Sequence, residues 1–239
     1  MSVDLETTVR DIAVEYPQAV RVFESFGIDY CCGGGQSLEE ACRQANVNAD
    51  VLREALRRPG AAEEEDAGGN WATASLEELT DHIVSRHHTF VRRETARLIE
   101  LLGKVKAKHE GNHPEVKRLG ELFQALAAEL KLHMMKEEQV LFPMIRQLEE
   151  ASREEEEDTA AFAGITFPIE RMISEHEDAG GVLRSIRSLT GAFQAPPDAC
   201  PSFRALYQGL EEFERDLHRH IHLENNILFP RAARMTGIM

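Results

Sequence analysis

Four long stretches of this chain carry apolar residues at three- and four-residue intervals, the period at which one face of an α-helix repeats. They run over roughly 76–108, 114–149, 165–192 and 201–233. β-Branched runs and alternating patterns are absent, so no segment predicts a strand. A helix near 30 residues spans about 45 Å, and the connections are short: Gly111-Asn112-His113-Pro114, the acidic stretch Glu154-Glu155-Glu156-Glu157-Asp158, and Pro196-Pro197-Asp198. Long helices joined this way predict an all-α fold, an antiparallel four-helix bundle. The acidic stretch reads as a solvated loop.

A smaller helical module precedes the bundle, over residues 1–57. Pro17 suits the first turn of a helix and Gly27 its end. Asp29-Tyr30-Cys31-Cys32-Gly33-Gly34-Gly35 then predicts an open turn carrying two adjacent thiols. Ser37-Leu38-Glu39-Glu40 has the capping-box pattern and starts another helix. Residues 58–74, with Pro59-Gly60, an acidic run and Gly68-Gly69-Asn70, read as a linker. A second capping box, Ser75-Leu76-Glu77-Glu78, opens the larger domain, residues 75–239.

Charge narrows the partners. A formal net charge of −15 excludes nucleic acid and anionic membrane surfaces as partners, since both demand a cationic patch. With no apolar run of about 18 residues and no signal peptide, a cytoplasmic location is expected. Four cysteines without a CxxC pair argue against a zinc ribbon, and in a reducing compartment they are thiols. Cys42 and Cys200 sit in no motif and read as structural.

The apolar stripes are interrupted at matching places. In the second helix the core-spaced series is Leu119, Leu122, Leu126, Glu129, His133, Glu137, Val140, Met144; in the fourth it is Leu206, Leu210, Phe213, Leu217, His220, Glu224, Ile227. An ionised carboxylate in a core costs several kcal/mol unless it is paired or bound to metal. The two interruptions belong to one repeated phrase: His133 and Glu137 stand four apart with Leu141-Phe142-Pro143 following, as do His220 and Glu224 with Leu228-Phe229-Pro230. Positions i and i+4 share a helix face, so each copy aims an imidazole and a carboxylate at one point. Two such pairs suit a two-metal site.

The repeat implies a further ligand on each remaining helix. The third offers His176, on a stripe with Ile169, Ile173, Leu183 and Ile186, 44 residues before His220. The first offers His87 and His88, 46 and 45 residues before His133; His88 shares its face with Val84, Val91 and Leu98. Periodicity does not choose between them. His218 and His222 lie about 200° around the helix from His220 and point away from its face. His82, His109 and His113 read as surface residues.

The double HxxxE–LFP phrase, with one more His on the first and third helices, resembles a hemerythrin-like di-iron domain. The preceding Asp29-Tyr30-Cys31-Cys32-Gly33-Gly34 resembles the cysteine-bearing amino-terminal domain of the Repair of Iron Centres family, and His133-Met134-Met135-Lys136-Glu137-Glu138 and Leu223-Glu224-Asn225-Asn226 are close to that family's wording. The resemblance covers nearly the whole chain. It implies His88, in Arg86-His87-His88, together with His133, His176 and His220 as terminal ligands, and Glu137 and Glu224 as carboxylates bridging two non-haem irons. Imidazole and carboxylate donors serve iron, manganese and zinc alike, and carboxylate bridging favours a redox pair. Four His and two Glu leave positions for an oxo or hydroxo bridge and an exogenous molecule. Glu129, one turn before His133, and Glu175, beside His176, match family carboxylates near the metal centre and would hydrogen-bond the ligands or carry protons. Cys31 and Cys32 would act in redox or iron transfer, their pKa lowered by nearby helix ends.

The implied function is repair of iron–sulfur clusters damaged by nitric oxide or oxidants, with the damaged cluster proteins as partners. The implied protein is compatible with a homodimer. The competing classes are an oxygen or nitric oxide carrier or sensor, a nitric oxide reductase, and a non-redox bundle in which metal only staples the fold. As a family, oxygen-carrying hemerythrins use five His and two carboxylates, whereas this repeat supplies four His. The cysteine-bearing module favours repair.

Overall fold

The computed structural model describes residues 3–57, 70–153, 162 and 164–236, and these are helices joined by turns, with no strand among the described residues. Residues 58–69 of the expected linker and the acidic stretch 154–158 lie outside the described residues. Four short helices form the amino-terminal module: α1 (Val9–Glu15), α2 (Ala19–Phe26), α3 (Leu38–Gln44) and α4 (Ala49–Arg57). The Ser37 hydroxyl accepts the Glu40 amide at 3.3 Å and so caps α3. Gly27 closes α2 at φ +66°, a left-handed conformation in which a side chain would be strained.

The bundle has four rods. α5 comprises Leu76–His82, a π-helical turn Ile83–His88, and Thr89–His109. α6 comprises Glu115–Lys136, a π turn Glu137–Leu141, and Phe142–Arg153. α7 is Thr166–Leu189, and α8 comprises Pro201–His222, a π turn Leu223–Leu228, and Phe229–Met235. Both halves of the Ser75–Glu78 capping box are formed at the start of α5. Glu149, near the end of α6, accepts the Leu76 and Glu77 amides at 2.8 and 3.1 Å, which also complements the positive end of the helix dipole. Arg231, near the end of α8, donates to the Trp71 and Ala74 carbonyls at 2.9 and 2.5 Å. The start of α5 thus lies beside the ends of α6 and α8, as antiparallel packing requires. Residues 70–74, expected as linker, are held against the bundle by these bonds.

Two apolar clusters fill the molecule. One, at the open end of α5 and α6, contains Leu79, Ile83, Leu141, Phe142, Ile145, Ile169, Leu228 and Phe229. The other runs from Val91, Leu98, Leu126, Leu183, Phe213 and Leu217 without a break into Ile12, Phe23, Tyr30 and Leu38 of the amino-terminal module. The module is therefore docked on the bundle by core packing. Its contact with α8 is also polar: Arg219 donates to both oxygens of Glu24 at 2.9 Å, and the Asn226 side-chain amide donates to the Tyr30 carbonyl at 2.9 Å.

The π turns change which residues face inward. Each adds a residue to a turn and advances the phase of everything after it by about 100°. Val140, expected in the core, is 52% exposed, while Leu141, Phe142 and Ile145 are buried. The repeated Leu-Phe-Pro is the sequence mark of this device. A proline inside a helix lacks an amide and crowds the carbonyl four residues back, and a widened turn relieves both. In each copy the Phe amide reaches back five residues instead, from Phe142 to Glu137 and from Phe229 to Glu224.

Candidate metal centre

Between the two apolar clusters lies one polar layer: His88, His133, Glu137, His176, His220 and Glu224, all at most 3% exposed. Each of the four rods contributes, and three ligand-bearing segments contain a π turn, a frequent feature of functional sites. The six side chains fall into two overlapping sets of four. His88, Glu137, His220 and Glu224 form one, and His133, Glu137, His176 and Glu224 the other; within each set one donor atom per residue lies within 4.8 Å of the rest. Both carboxylates belong to both sets. Two ions placed there would have both carboxylates in common and two imidazoles each.

The layer is poorly satisfied by protein alone. His88 Nε2 faces His220 Nε2 at 3.2 Å, and His176 Nε2 faces His133 Nε2 at 2.9 Å. Two imidazole nitrogens face to face are served by a cation between them. Both oxygens of Glu137 and Oε2 of Glu224 are buried without a hydrogen bond. They lie 3.1–3.4 Å from His88, His133 and His176 nitrogens but out of line for a bond. Burial alone would keep Glu137 and Glu224 protonated, yet the surrounding imidazoles outweigh it and hold both carboxyls below their ordinary range, most strongly Glu224. Burial pulls His133 down, but the charges of Glu137 and then Glu224 outweigh it and raise its pKa to about 9. The pocket thus favours anionic carboxylates and net positive charge among them, as a metal pair would supply. The residues present fit the group.

Three imidazoles are oriented from behind. His88 Nδ1 donates to Glu138 at 2.6 Å, and Glu138 is held by Arg92 at 2.6 Å. His133 Nδ1 donates to Glu175 at 3.0 Å, and His176 Nδ1 donates to Asn225 at 2.8 Å. Donation from Nδ1 fixes the tautomer that leaves the Nε2 lone pair for a metal. Glu175 itself receives Lys136 at 2.5 Å and Arg171 at 2.9 Å. Its burial is overcome by Lys136 and then His133, which bring its carboxyl to about 2. Glu175 thus hydrogen-bonds His133 of the layer, across from α7, while His176 next to it in sequence bonds Asn225.

Glu129, expected near the ligands, is exposed on α6, and Leu130 takes the buried position, as Phe123 does beside Leu122. A 3.6-residue period leaves both neighbours near the inner face, and the apolar one is buried because desolvating a carboxylate is costly. Glu138 and Asn225 were missed as orienting groups; each adjoins a ligand carboxylate in the repeated phrase, the one signal that could have marked them.

On α5 it is His88, and not His87, that belongs to these donor sets. His87 is buried but outside both sets; it stacks on His220 at 5.7 Å between ring centres and points Nδ1 at Asp216, 3.2 Å away. His222 was expected to be either solvated or a supporting group near the ligands, and His109 a surface residue; the solvated reading of the first and the surface reading of the second are corrected. His222 is buried, receives the Asn226 amide at 2.8 Å, and packs edge-on to Tyr30 at 5.4 Å; burial lowers its pKa to about 4. His109 is also buried, against Phe203. Both were misread because the surfaces covering them come from segments distant in sequence.

The cysteine turn lies against α7. Asp29 Oδ1 accepts the Cys31 and Cys32 amides, both at 3.0 Å, folding the turn back on itself. The two sulfurs are 3.7 Å apart, and Cys32 Sγ reaches the His176 carbonyl oxygen at 3.6 Å. A Cβ on Gly180, one turn on, would sit 3.4 Å from Cys32 Sγ, so the glycine lets the thiol approach the helix closely. The expected lowering of thiol pKa does not hold for Cys31: its hydrogen bond to Cys32, its burial and the nearby Asp29 charge all raise it.

A four-rod bundle with a His/Glu layer across its middle is a hemerythrin-type scaffold. Residues 79–232 match the hemerythrin HHE cation binding domain, and residues 5–59 match ScdA_N, a domain of unknown function (DUF542). The chain is 38% identical over 222 residues to a probable iron-sulfur cluster repair protein of Haemophilus influenzae, covering 93% of this chain and 94% of that one. It is 37% identical, with the same coverage, to the iron-sulfur cluster repair protein YtfE of Citrobacter koseri and of Escherichia coli. The chain belongs to the Repair of Iron Centres family of hemerythrin-like proteins.

Proposed function

We propose that this protein repairs iron–sulfur clusters damaged by nitric oxide or oxidants, using a carboxylate-bridged pair of non-haem irons. His88 and His220 would hold one iron and His133 and His176 the other, with Glu137 and Glu224 available to both. The observation that carries this reading is the membership of both carboxylates in both four-residue sets. When bound, the iron pair supplies redox chemistry and exchangeable metal. The chain's own residues do the rest. Glu138, Glu175 and Asn225 fix imidazole orientation, the apolar clusters on either side exclude water, and Glu175 with Lys136 forms a charged pair at the rim beside His133. Cys32, in contact with the backbone of His176, takes part in electron or iron transfer with Cys31. Damaged cluster proteins are the partners, as the relatives' names imply.

Oxygen carriage is the weaker reading. Among the described residues neither set includes a fifth imidazole, and His87, the nearest spare one, faces Asp216. The deciding experiment incubates the iron-loaded protein with a purified [4Fe–4S] dehydratase inactivated by nitric oxide and follows recovery of dehydratase activity. Recovery with wild type and none with Glu224→Ala supports the proposal. Cys31→Ser/Cys32→Ser protein is expected to keep its iron yet lose repair. No recovery with the wild type would overturn the function, and unchanged repair by the double Ser variant would remove the thiols from it.

A further inference from the structure

At the far end of the bundle a second cluster of donors stands apart from the layer described above. His109 closes α5, 21 residues and so about 30 Å along the rod from His88. His113 lies in the turn to α6, and Asp198 in the connection that leads into α8. One donor atom from each of the three lies within 4.8 Å of the other two. Three bonds of about 2.0–2.2 Å to one tetrahedral ion put donors roughly 3.3–3.6 Å apart, so only small side-chain adjustment is needed.

Several features mark this as a built site. His109 is 8% exposed, and its Nε2 is buried without a hydrogen-bond partner. A buried polar nitrogen left unpaired is unfavourable, and a bond to a ligand would satisfy it. His113 Nε2 lies 3.1 Å from both oxygens of Asp198, while its Nδ1 donates to Glu115 at 3.0 Å. A carboxylate behind an imidazole whose other nitrogen faces a donor cluster is the arrangement that orients metal-bound histidines. The Phe203 ring packs on both imidazoles, 5.2 Å from His109 and 5.3 Å from His113, giving the site an apolar floor.

We infer that His109, His113 and Asp198 form a mononuclear divalent-cation site, its donor set suited to zinc with a fourth position open to solvent. Its ion would tie the α5–α6 turn to the entry of α8, closing the end of the bundle remote from the iron pair. This inference is independent of the repair function.

The test is titration of the iron-loaded full chain with zinc ion, by calorimetry, with the visible spectrum recorded to confirm that the irons stay. Wild type should take up one zinc that His109→Ala/His113→Ala does not, and its Tm should rise by roughly 5–10 °C at a hundredfold excess over Kd. His113→Gln and Asp198→Asn, at more exposed positions, should each weaken binding at least about tenfold and serve if the double variant fails to fold. Cys31→Ser/Cys32→Ser should leave this zinc in place. Zinc uptake unchanged in the histidine variants, uptake lost with the cysteines instead, or no uptake by the wild type would each overturn the site.

Discussion

Glu137→Leu tests what this buried carboxylate does for the fold and, on the proposed reading, for the metal. The carboxylate is wholly buried, neither oxygen has a hydrogen bond, and its neighbours are three titratable groups of the same layer. Taking an ion out of water costs several kcal/mol, but the imidazoles around Glu137 outweigh that and hold its carboxyl below the ordinary range, so the ionised form stabilises the metal-free fold at neutral pH. Removing one partner of a buried pair costs about 3–5 kcal/mol, and part of that is recovered because His133 can become neutral once Glu137 is gone. A net loss of about 1–3 kcal/mol, at roughly 2–4 °C per kcal/mol for a chain of this size, lowers the metal-free Tm by about 2–12 °C. Iron should fall from about two per chain to below about one, since the same carboxylate serves both ions. Calorimetry of the metal-free and iron-loaded forms, with iron analysis, reads both effects. A metal-free variant more stable than wild type, or one that loads two irons, would refute the reasoning.

Other outcomes follow from the same geometry. His88→Ala should lose a terminal ligand and alter the visible spectrum of the iron-loaded protein, while His87→Ala, outside both donor sets, should leave iron content nearly unchanged. Glu175→Gln, which removes the charge behind His133, should weaken iron binding about 10–100-fold in a chelator competition without changing the stoichiometry at saturation. Glu24→Ala breaks the two-bond contact with Arg219 and should cost about 2 kcal/mol of docking, read as faster alkylation of Cys32 at unchanged iron content; an unaltered alkylation rate would show that apolar packing alone holds the module.

The bundle was legible because its inward-facing positions keep a helical period over long stretches, and the α8 series from Leu206 to Ile227, His220 and Glu224 included, is buried throughout. The buried His/Glu layer was legible because duplication made two core violations mutually explanatory. What was lost lies where local pattern and tertiary structure part. Val140 was misplaced because a π turn shifts the phase after Glu137, and the proline responsible stands three residues further on. Glu129 was misplaced because two adjacent positions compete for one inner face and the choice rests on desolvation. Choosing His88 over His87 needed the facing rods, and the burial of His222 needed the amino-terminal module packed on α8.

The most direct test of the central claim is the iron content of aerobically purified protein together with its visible spectrum. The two overlapping donor sets predict about two irons per chain and the absorption of a coupled diferric pair, both lost in Glu137→Ala and Glu224→Ala. A single iron per chain, or two irons retained in both variants, would contradict the shared bridging carboxylates on which the account rests.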